Sequence, residues 1–518
     1  MIELNHTVCD PATSVGTGAV SIVRISGPET MAVVDRIVRF RAGTAAQAPG
    51  YSLKFGTVDG LDDVVVALYR APHSYTGEDA AEISCHASPF IVSELLDRLA
   101  EAGCPLAEPG EFTRRAFING KMDLAQAEAV ADVIASSTSA QHRVALNQLR
   151  GGYSAELRGL RQQLLELSLL LELELDFSEE DVEFADRTRL RALLDTAHSH
   201  CRQLADSFRV GNAIRSGVPV AIVGAPNSGK STLLNALLRD DRAIVSDVPG
   251  TTRDTVEETC VVDGILFRFI DTAGIRAAAD EVERLGIERT FRKISEAEIV
   301  LGVVDVSAPE AAVLEAAKMM CDQVDLGHQQ LLILANKCDK SGVNKNVNAL
   351  NKFVLDTDKE RNNIEPLEIS AKTGSGLEKL RSALSSRAGI AAATGTLVTN
   401  ARHAAALRAA SDSLRAVSDG LDRGLPSDLL AEDLRDALAS LGTITGAITT
   451  DEVLGEIFSK FCIGKWIARR KALSSINKHH KPLISNVQPQ NYLLVVVGYC
   501  WFFLLNLYHI STTRGRRF

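Results

Sequence analysis

The chain has 518 residues, with 66 Asp or Glu against 56 Lys or Arg, a formal charge of −10 and nine cysteines. The length fits three domains of ordinary size in a soluble protein, and the cysteines show neither CxxC nor paired spacing, which excludes a disulfide framework. With no signal peptide at the start, the expected setting is a reducing cytoplasm with free thiols. The charge is uneven: residues 466–518 hold eight Lys or Arg and no Asp or Glu, so the first 465 are eight charges more negative than the whole. A body that acidic is a poor general binder of nucleic-acid phosphates.

In chain order, residues 1–119 alternate short apolar runs, such as Ser21 to Ile25 and Val64 to Leu68, with Gly and Pro turns. This predicts a modest α/β domain. From residue 120 the texture turns helical, and Leu157, Leu160, Leu164, Leu167 and Leu171 recur at spacings of three and four. Such a stripe marks one helix face and predicts bundle core rather than a free coiled coil. A third unit spans 217–387, and a small-residue linker follows from Ala388 to Thr396. Helical patterning resumes at Asn400 and runs to Lys465, so the middle unit is expected to be inserted into a helical domain built from 120–216 and 388–465.

The inserted unit carries the chemistry. The apolar run Val218 to Val223 leads into Gly224-Ala-Pro-Asn-Ser-Gly229-Lys230-Ser231, and Thr232 to Leu238 follows as a helix. This is a phosphate-binding loop: its glycines let backbone N–H groups close around phosphate oxygens, Lys230 reaches the β and γ oxygens, and Ser231 offers its hydroxyl to Mg²⁺. Further on come Gly250-Thr-Thr-Arg-Asp254 and Asp271-Thr-Ala-Gly274, then the strand Leu331 to Ala335 ending in Asn336-Lys337-Cys338-Asp339, then Ile369-Ser370-Ala371-Lys372. In this order the segments resemble the GTPase superfamily, in which the Asp of NKxD accepts from guanine N1 and N2. Asp339 would face an acceptor and no amino group on adenine, which supplies the discrimination. Ile275 stands where a water-orienting Gln would sit, so another group must orient the water. The nearby Asp280-Glu281-Val282-Glu283 is the candidate, its other reading being a solvated helix start. No arginine finger is assignable.

The chain from about Thr7 to Lys465 resembles one family, the tRNA-modifying GTPases MnmE (TrmE). The likeness rests on Gly16 to Gly27, Ser74-Tyr-Thr-Gly-Glu-Asp79, Pro109 to Glu128, Asp271 to Arg289, and Phe461-Cys-Ile-Gly-Lys465. The resemblance implies a Ras-like parallel sheet for the inserted unit, a folate-binding and dimerising N-terminal domain, and a helical domain. It implies a K⁺ ion on Asn227, with Ser246, Val248 and Thr251 completing its shell, in place of an arginine finger. Mg²⁺ would sit on Ser231 and Thr252, and Glu283 would position the attacking water, with Thr252, Asp271 and Gly274 beside it. The implied nucleotide contacts are Asn227, Ser228, Gly229, Lys230, Ser231 and Thr232, then Ser246, Asp247, Val248, Pro249, Gly250, Thr251 and Thr252. They continue through Asp271, Thr272, Ala273 and Gly274 to Asn336, Lys337, Asp339, Ser370, Ala371 and Lys372.

The resemblance further implies a tetrahydrofolate derivative (5,10-methylene or 5-formyl) held by Arg24, Glu82, Lys121 and Lys465, with Cys462 as a thiol of interest. Arg24, Lys121 and Lys465 suit the glutamate carboxylates of such a ligand, and Glu82 its pterin N–H groups. Read alone, Arg24 is a strand-end charge, Lys121 a helix-start lysine, and Cys462 a buried cysteine. The implied partner is the FAD protein MnmG, in a heterotetramer, acting with this homodimer on tRNA to place an aminomethyl or carboxymethylaminomethyl group at C5 of the wobble uridine. A ribosome-assembly-type GTPase switch without substrate chemistry is the competing reading. It is disfavoured because such switches carry a basic RNA-binding appendage. Residues 466–518 depart from the family pattern, which ends at FCIGK. Their run Tyr492 to Leu507 is short of the ~20 apolar residues of a membrane span and is interrupted by Asn506, leaving an incidental extension, a membrane-touching tail or a docking segment.

Overall fold

The computed structural model describes residues 5–14, 16–176, 187–240, 258–270, 295–325, 329–357, 364–389 and 395–459. The first sheet contains β1 (Val8–Pro11), β2 (Val20–Ser26), β3 (Arg39–Phe40), β4 (Ser52–Val58), β5 (Asp62–Tyr69) and β6 (Ala80–His86), with α1 (Thr30–Ile37) and α2 (Pro89–Glu101) packed on it. The strand order is β1-β2-β6-β5-β4-β3, and every pair is antiparallel. Alternation sorts the faces: Val64, Val66 and Leu68 are buried, whereas Val65 between them is exposed. The buried set, with Val23, Ile25 and Ile83, lies with Val34, Leu95 and Leu99 of the two helices in the core.

The next helix, α3 (Glu111–Ile118), carries a fully buried cation. Arg115 Nη2 donates to Glu111 Oε1 at 2.6 Å, and Nη1 donates to Glu78 Oε2 at 3.1 Å and to the His6 carbonyl at 2.9 Å. A buried guanidinium is tolerable only when paired and hydrogen-bonded, and here two carboxylates supply both conditions. Ser26 Oγ donates to Glu78 Oε2 at 2.7 Å and Asn119 Nδ2 donates to the Thr76 carbonyl at 2.7 Å, so the Ser74 to Asp79 segment is fixed from several sides.

Three of the following helices start or pack as their sequences dictate. In α4 (Leu124–Ala135) and α5 (Ser139–Leu149), Asp123 with Gln126 and Thr138 with Gln141 form reciprocal capping boxes. The long α6 (Gly152–Asp176) buries all five leucines of its stripe, Leu157 through Leu171. Then α7 (Arg187–Asp206) and α8 (Phe208–Ser216) lead into the second sheet.

That sheet is built from β7 (Val218–Val223), α9 (Lys230–Asp240), β8 (Glu258–Val262), β9 (Ile265–Ile270), β10 (Ile299–Asp305), α10 (Glu310–Gln323), β11 (Gln330–Asn336), α11 (Asn344–Thr357), β12 (Ile364–Glu368) and α12 (Leu377–Arg387). The order is β12-β11-β10-β7-β9-β8, parallel except where β8 meets β9. β10 and β11 are near-continuous apolar runs because both sheet faces are covered, one core holding Leu301 and Leu332 and the other Val300 and Leu331.

The chain then returns to the helical unit as α13 (Ala401–Asp422), capped by Asn400, α14 (Ser427–Thr445) and α15 (Asp451–Ser459). Leucines of both flanks share one core, with Leu157, Leu164 and Leu194 beside Leu407, Leu414, Leu434 and Leu441. A buried polar clasp joins them too. Glu128 on α4 accepts from Arg402 Nη2 at 2.9 Å and from Asn400 Nδ2 at 3.0 Å, and pairs with His403 Nε2 at 2.7 Å. Burial alone would raise the Glu128 carboxyl, but His403 and Arg402 outweigh it and hold it below the usual range.

The inserted unit is joined through a tight neck. Val398 N donates to Ser207 Oγ at 3.1 Å, and Gln148 Nε2 donates to the Leu397 carbonyl at 3.2 Å. Gly211 of α8 lies so close to the Val398 carbonyl that a Cβ would overlap it. Gly211→Ala is therefore expected to cost about 1–3 kcal/mol through backbone displacement. Gly159→Ala, on the exposed face of α6 with open space around it, is expected to gain about 0.5–1 kcal/mol. Urea denaturation of the two variants checks this, and a neutral Gly211→Ala would mean that the neck is not tightly packed.

Candidate functional site

Strand β7 delivers the phosphate loop to the N-terminus of α9, whose first-turn N–H groups and dipole favour an anion. Glycine is required at two places. Gly224 has φ 154° and a Cβ there would strike the Val303 carbonyl of β10, and Gly229 has φ 107° and lies against the Asn336 carboxamide. Asn227 between them is left-handed at φ 58°.

The predicted base-recognition segments converge on this loop. Asn336, 2% exposed, donates from Nδ2 to the Ser228 carbonyl at 2.8 Å and accepts at Oδ1 from Ala371 N at 2.9 Å. Lys337 Nζ donates to the Asn227 carbonyl at 2.8 Å. Ser370 Oγ donates to Asp339 Oδ1 at 2.7 Å, a bond that holds this exposed carboxyl below the usual range and leaves it ionised as an acceptor. Lys372 follows in the same loop. Lys230 Nζ donates to the Gly224 carbonyl at 2.7 Å and the Ala225 carbonyl at 2.9 Å, and burial lowers its affinity for its proton. Ser231 and Thr232 occupy the first turn of α9, so the hydroxyl suited to Mg²⁺ stands next to the lysine. Held against β10 at Gly224 and against Asn336 at Gly229, the loop at the N-terminus of α9, with the Lys230 cation beside it, fits a nucleotide's phosphates. The residues from Ser246 to Thr252, Asp271 to Gly274, and Glu283 lie outside the described residues, as do Cys462 and Lys465.

The N-terminal candidates divide in the same way. Arg24 and Glu82 are opposite each other in the β2–β6 register and form an ion pair, Arg24 Nε donating to Glu82 Oε1 at 2.9 Å and Nη2 at 2.8 Å. The guanidinium carbon lies 5.2 Å from the centroid of the Tyr75 ring and 5.7 Å from that of Phe112. Arg24 is thus a mid-strand residue in an aromatic setting rather than a strand-end charge. Lys121 Nζ donates to the Pro72 carbonyl at 3.0 Å. Helix α15 reaches this region, with Phe458 6.4 Å from Phe117 of α3, the helix that precedes Lys121.

Sequence reading did not single out Tyr75 and Phe112, whose rings lie beside Arg24, or Asp10, its register neighbour on β1. Tyr75 lay inside the quoted Ser74 to Asp79 segment, whereas Asp10 becomes visible only through the register that sets it opposite Arg24. Among the described residues no group of three or more His, Cys, Asp or Glu is arranged to hold a metal ion, and no helix is long and apolar enough to cross a membrane. The seven described cysteines are thiols outside any disulfide.

Burial pushes the Asp10 carboxyl up to about 6 from its ordinary 3.8. A folded-state value above the unfolded one means that the neutral form is favoured: the contribution is complete below about pH 4 and is lost as pH rises through 6. Asp10→Asn is expected to raise stability at pH 8 by up to about 2 kcal/mol and to leave it unchanged at pH 4. Thermal melts at the two pH values check it, and equal shifts at both would contradict the burial effect.

A family model described as GTP-binding protein TrmE N-terminus matches residues 7–121, and one described as MnmE helical domain matches residues 124–462. The chain is 47% identical over 470 residues to the tRNA modification GTPase MnmE of Bacteroides fragilis, covering 89% of this chain and 99% of that protein. The protein of the same name from Bacteroides thetaiotaomicron gives the same figures. That from Christiangramia forsetii is 45% identical over 475 residues, covering 90% of this chain and all of its own length. The segments that meet around the phosphate loop and the matches on both sides of it agree: the chain belongs to the MnmE (TrmE) family of GTPases.

Proposed function

We propose that this protein is a K⁺-dependent GTPase of tRNA modification. With a flavin-containing MnmG-like partner, it would add an aminomethyl or carboxymethylaminomethyl group at C5 of the wobble uridine of certain tRNAs. The observation that carries this reading is 47% identity over 89% of the chain to proteins named tRNA modification GTPase MnmE. It takes residues 1–119 as the folate and dimerisation domain, 217–387 as the GTPase domain, 120–216 with 388–465 as the helical domain, and a cytoplasmic setting.

In this reading Lys230 and the first N–H groups of α9 bind the β- and γ-phosphates, and Asp339 selects guanine while the Ser370 to Lys372 backbone meets its O6. Ser231 and Thr252 hold Mg²⁺. Asn227, Ser246, Val248 and Thr251 hold K⁺. Bound there, the two cations supply the positive charge that stabilises the charge-spread transition state of phosphoryl transfer. Glu283 orients the attacking water through a second water, which Ile275 is unable to do. At the N-terminal site Arg24, Glu82, Lys121 and Lys465 orient a tetrahydrofolate derivative, the source of the methylene carbon, with Cys462 close by. The exposed Val20, Leu53 and Val65 on the sheet face away from the helices support pairing of two copies through this domain.

GTP hydrolysis in K⁺ against Na⁺ tests the reading. The wild type is expected to be strongly stimulated by K⁺, and Asn227→Ala to lose that stimulation. Glu283→Ala is expected to lose about a hundredfold or more in rate while keeping GDP binding. Equal rates in the two salts would overturn the cation assignment. Unchanged wobble-uridine nucleosides in cells lacking the protein would overturn the modification reading in favour of an assembly-type switch.

A further inference from the structure

Asp305 ends β10, one strand away from the phosphate loop, and belongs to none of the motifs above. Its register partner on β11 is Asn336, so the two strand ends stand side by side. Lys337 follows with φ 71°, and its Nζ donates both to Asp305 Oδ2 at 2.6 Å and to the Asn227 carbonyl at 2.8 Å. The carboxylate is anchored in turn: Ser307 donates to Asp305 Oδ1 from its N at 3.0 Å and from its Oγ at 2.6 Å, while Lys340 Nζ donates to Ser307 Oγ at 3.1 Å. Burial alone would raise this carboxyl, but the bonds from Lys337 and Ser307 outweigh it and hold it below its ordinary value.

We propose that Asp305 is a positioning residue of the nucleotide site: by fixing the Lys337 ammonium it anchors the Asn227 carbonyl and keeps Asn227 in its left-handed backbone conformation. A lysine head on a four-carbon stem has many rotamers, and a charge-assisted bond to a rigid carboxylate selects one. Asparagine is among the non-glycine residues that adopt positive φ most readily, and the Lys337 bond to its carbonyl holds Asn227 in that conformation. Two affinities then depend on Asp305. One is that for the guanine nucleotide, whose phosphate loop is held in shape. The other, which rests on the K⁺ reading above, is that for the cation on Asn227.

The test uses the full chain with Asp305→Asn, Asp305→Ala and Asp305→Glu. GDP affinity is measured with a fluorescent analogue in Na⁺ buffer, and GTP hydrolysis is measured against K⁺ at saturating GTP. Asp305→Asn and Asp305→Ala are expected to weaken GDP about tenfold. They are also expected to raise the K⁺ midpoint at least about threefold, with kcat at saturating GTP and K⁺ within about twofold of wild type. Asp305→Glu is expected to restore most of the GDP affinity. A residue needed only for folding would lower kcat and thermal stability without moving the K⁺ midpoint, and that pattern overturns the proposal. Unchanged GDP affinity in Asp305→Ala also overturns it, and a moved GDP affinity with an unmoved K⁺ midpoint overturns the link to Asn227. A wild type indifferent to K⁺ brings down the cation reading alone, since GDP binding in Na⁺ still decides what Asp305 does.

Discussion

One buried carboxamide is the constraint on which the nucleotide side of the molecule depends. Asn336 uses its donor on the Ser228 carbonyl and its acceptor on the Ala371 N–H, tying together two loops that lie more than a hundred residues apart in sequence. Neither bond is worth much net, about 1 kcal/mol, yet an unsatisfied buried partner would cost about 1–3 kcal/mol. The asymmetry makes the arrangement close to all-or-none: with Asn336 in place, the phosphate loop and the Ser370 to Lys372 loop are both determined. Gly229 completes this geometry because any side chain there would displace the amide. The same strand end supplies Lys337 and Asp339, so phosphate geometry and base choice are set from one point at the end of β11.

The second constraint is the way the GTPase unit is attached. Its incoming segment, Ser207 to Ser216, and its outgoing segment, Leu397 to Thr399, bond to each other and to α5 through Gln148 and Gln141. Arg215 Nε, at the last turn before β7, donates to Asp132 Oδ1 on α4 at 2.9 Å. From α4, Glu128 reaches Arg402 and His403 on α13. A polar path therefore runs from the root of the strand that leads to the phosphate loop into both flanks of the helical unit. Interfaces packed this closely move between discrete arrangements rather than bending continuously, which suits the transmission of a nucleotide-dependent change.

What the sequence revealed and what it hid follow from the range of the interactions. Strand β7 matched its apolar run residue for residue, because a parallel strand buried on both faces needs no alternation to betray it. The α6 leucines and the return of helix at Asn400 were legible because helix periodicity acts within a turn or two. The ion pair between Arg24 and Glu82 joins residues 58 apart, and Asp305 meets Lys337 across 32. Neither pair has a local signature. Only strand register brings them together, and register is a property of the whole sheet. The N-terminal unit shows the same limit: short runs and turns pointed to strands with helices, but not to six strands all antiparallel.

The electrostatics of the N-terminal site follow from that register. Asp10, Arg24 and Glu82 lie in one cross-strand row, and within it the guanidinium pairs with Glu82. The Arg24 charge is already matched by Glu82, which leaves the Tyr75 and Phe112 rings and Asp10, its carboxyl raised by burial, as the distinctive surroundings. Such a row offers no net attraction to an anion. A ligand with both a flat ring and carboxylates would find stacking and hydrogen bonding here, and its carboxylates would have to look elsewhere, toward Lys121 and the approach of α15.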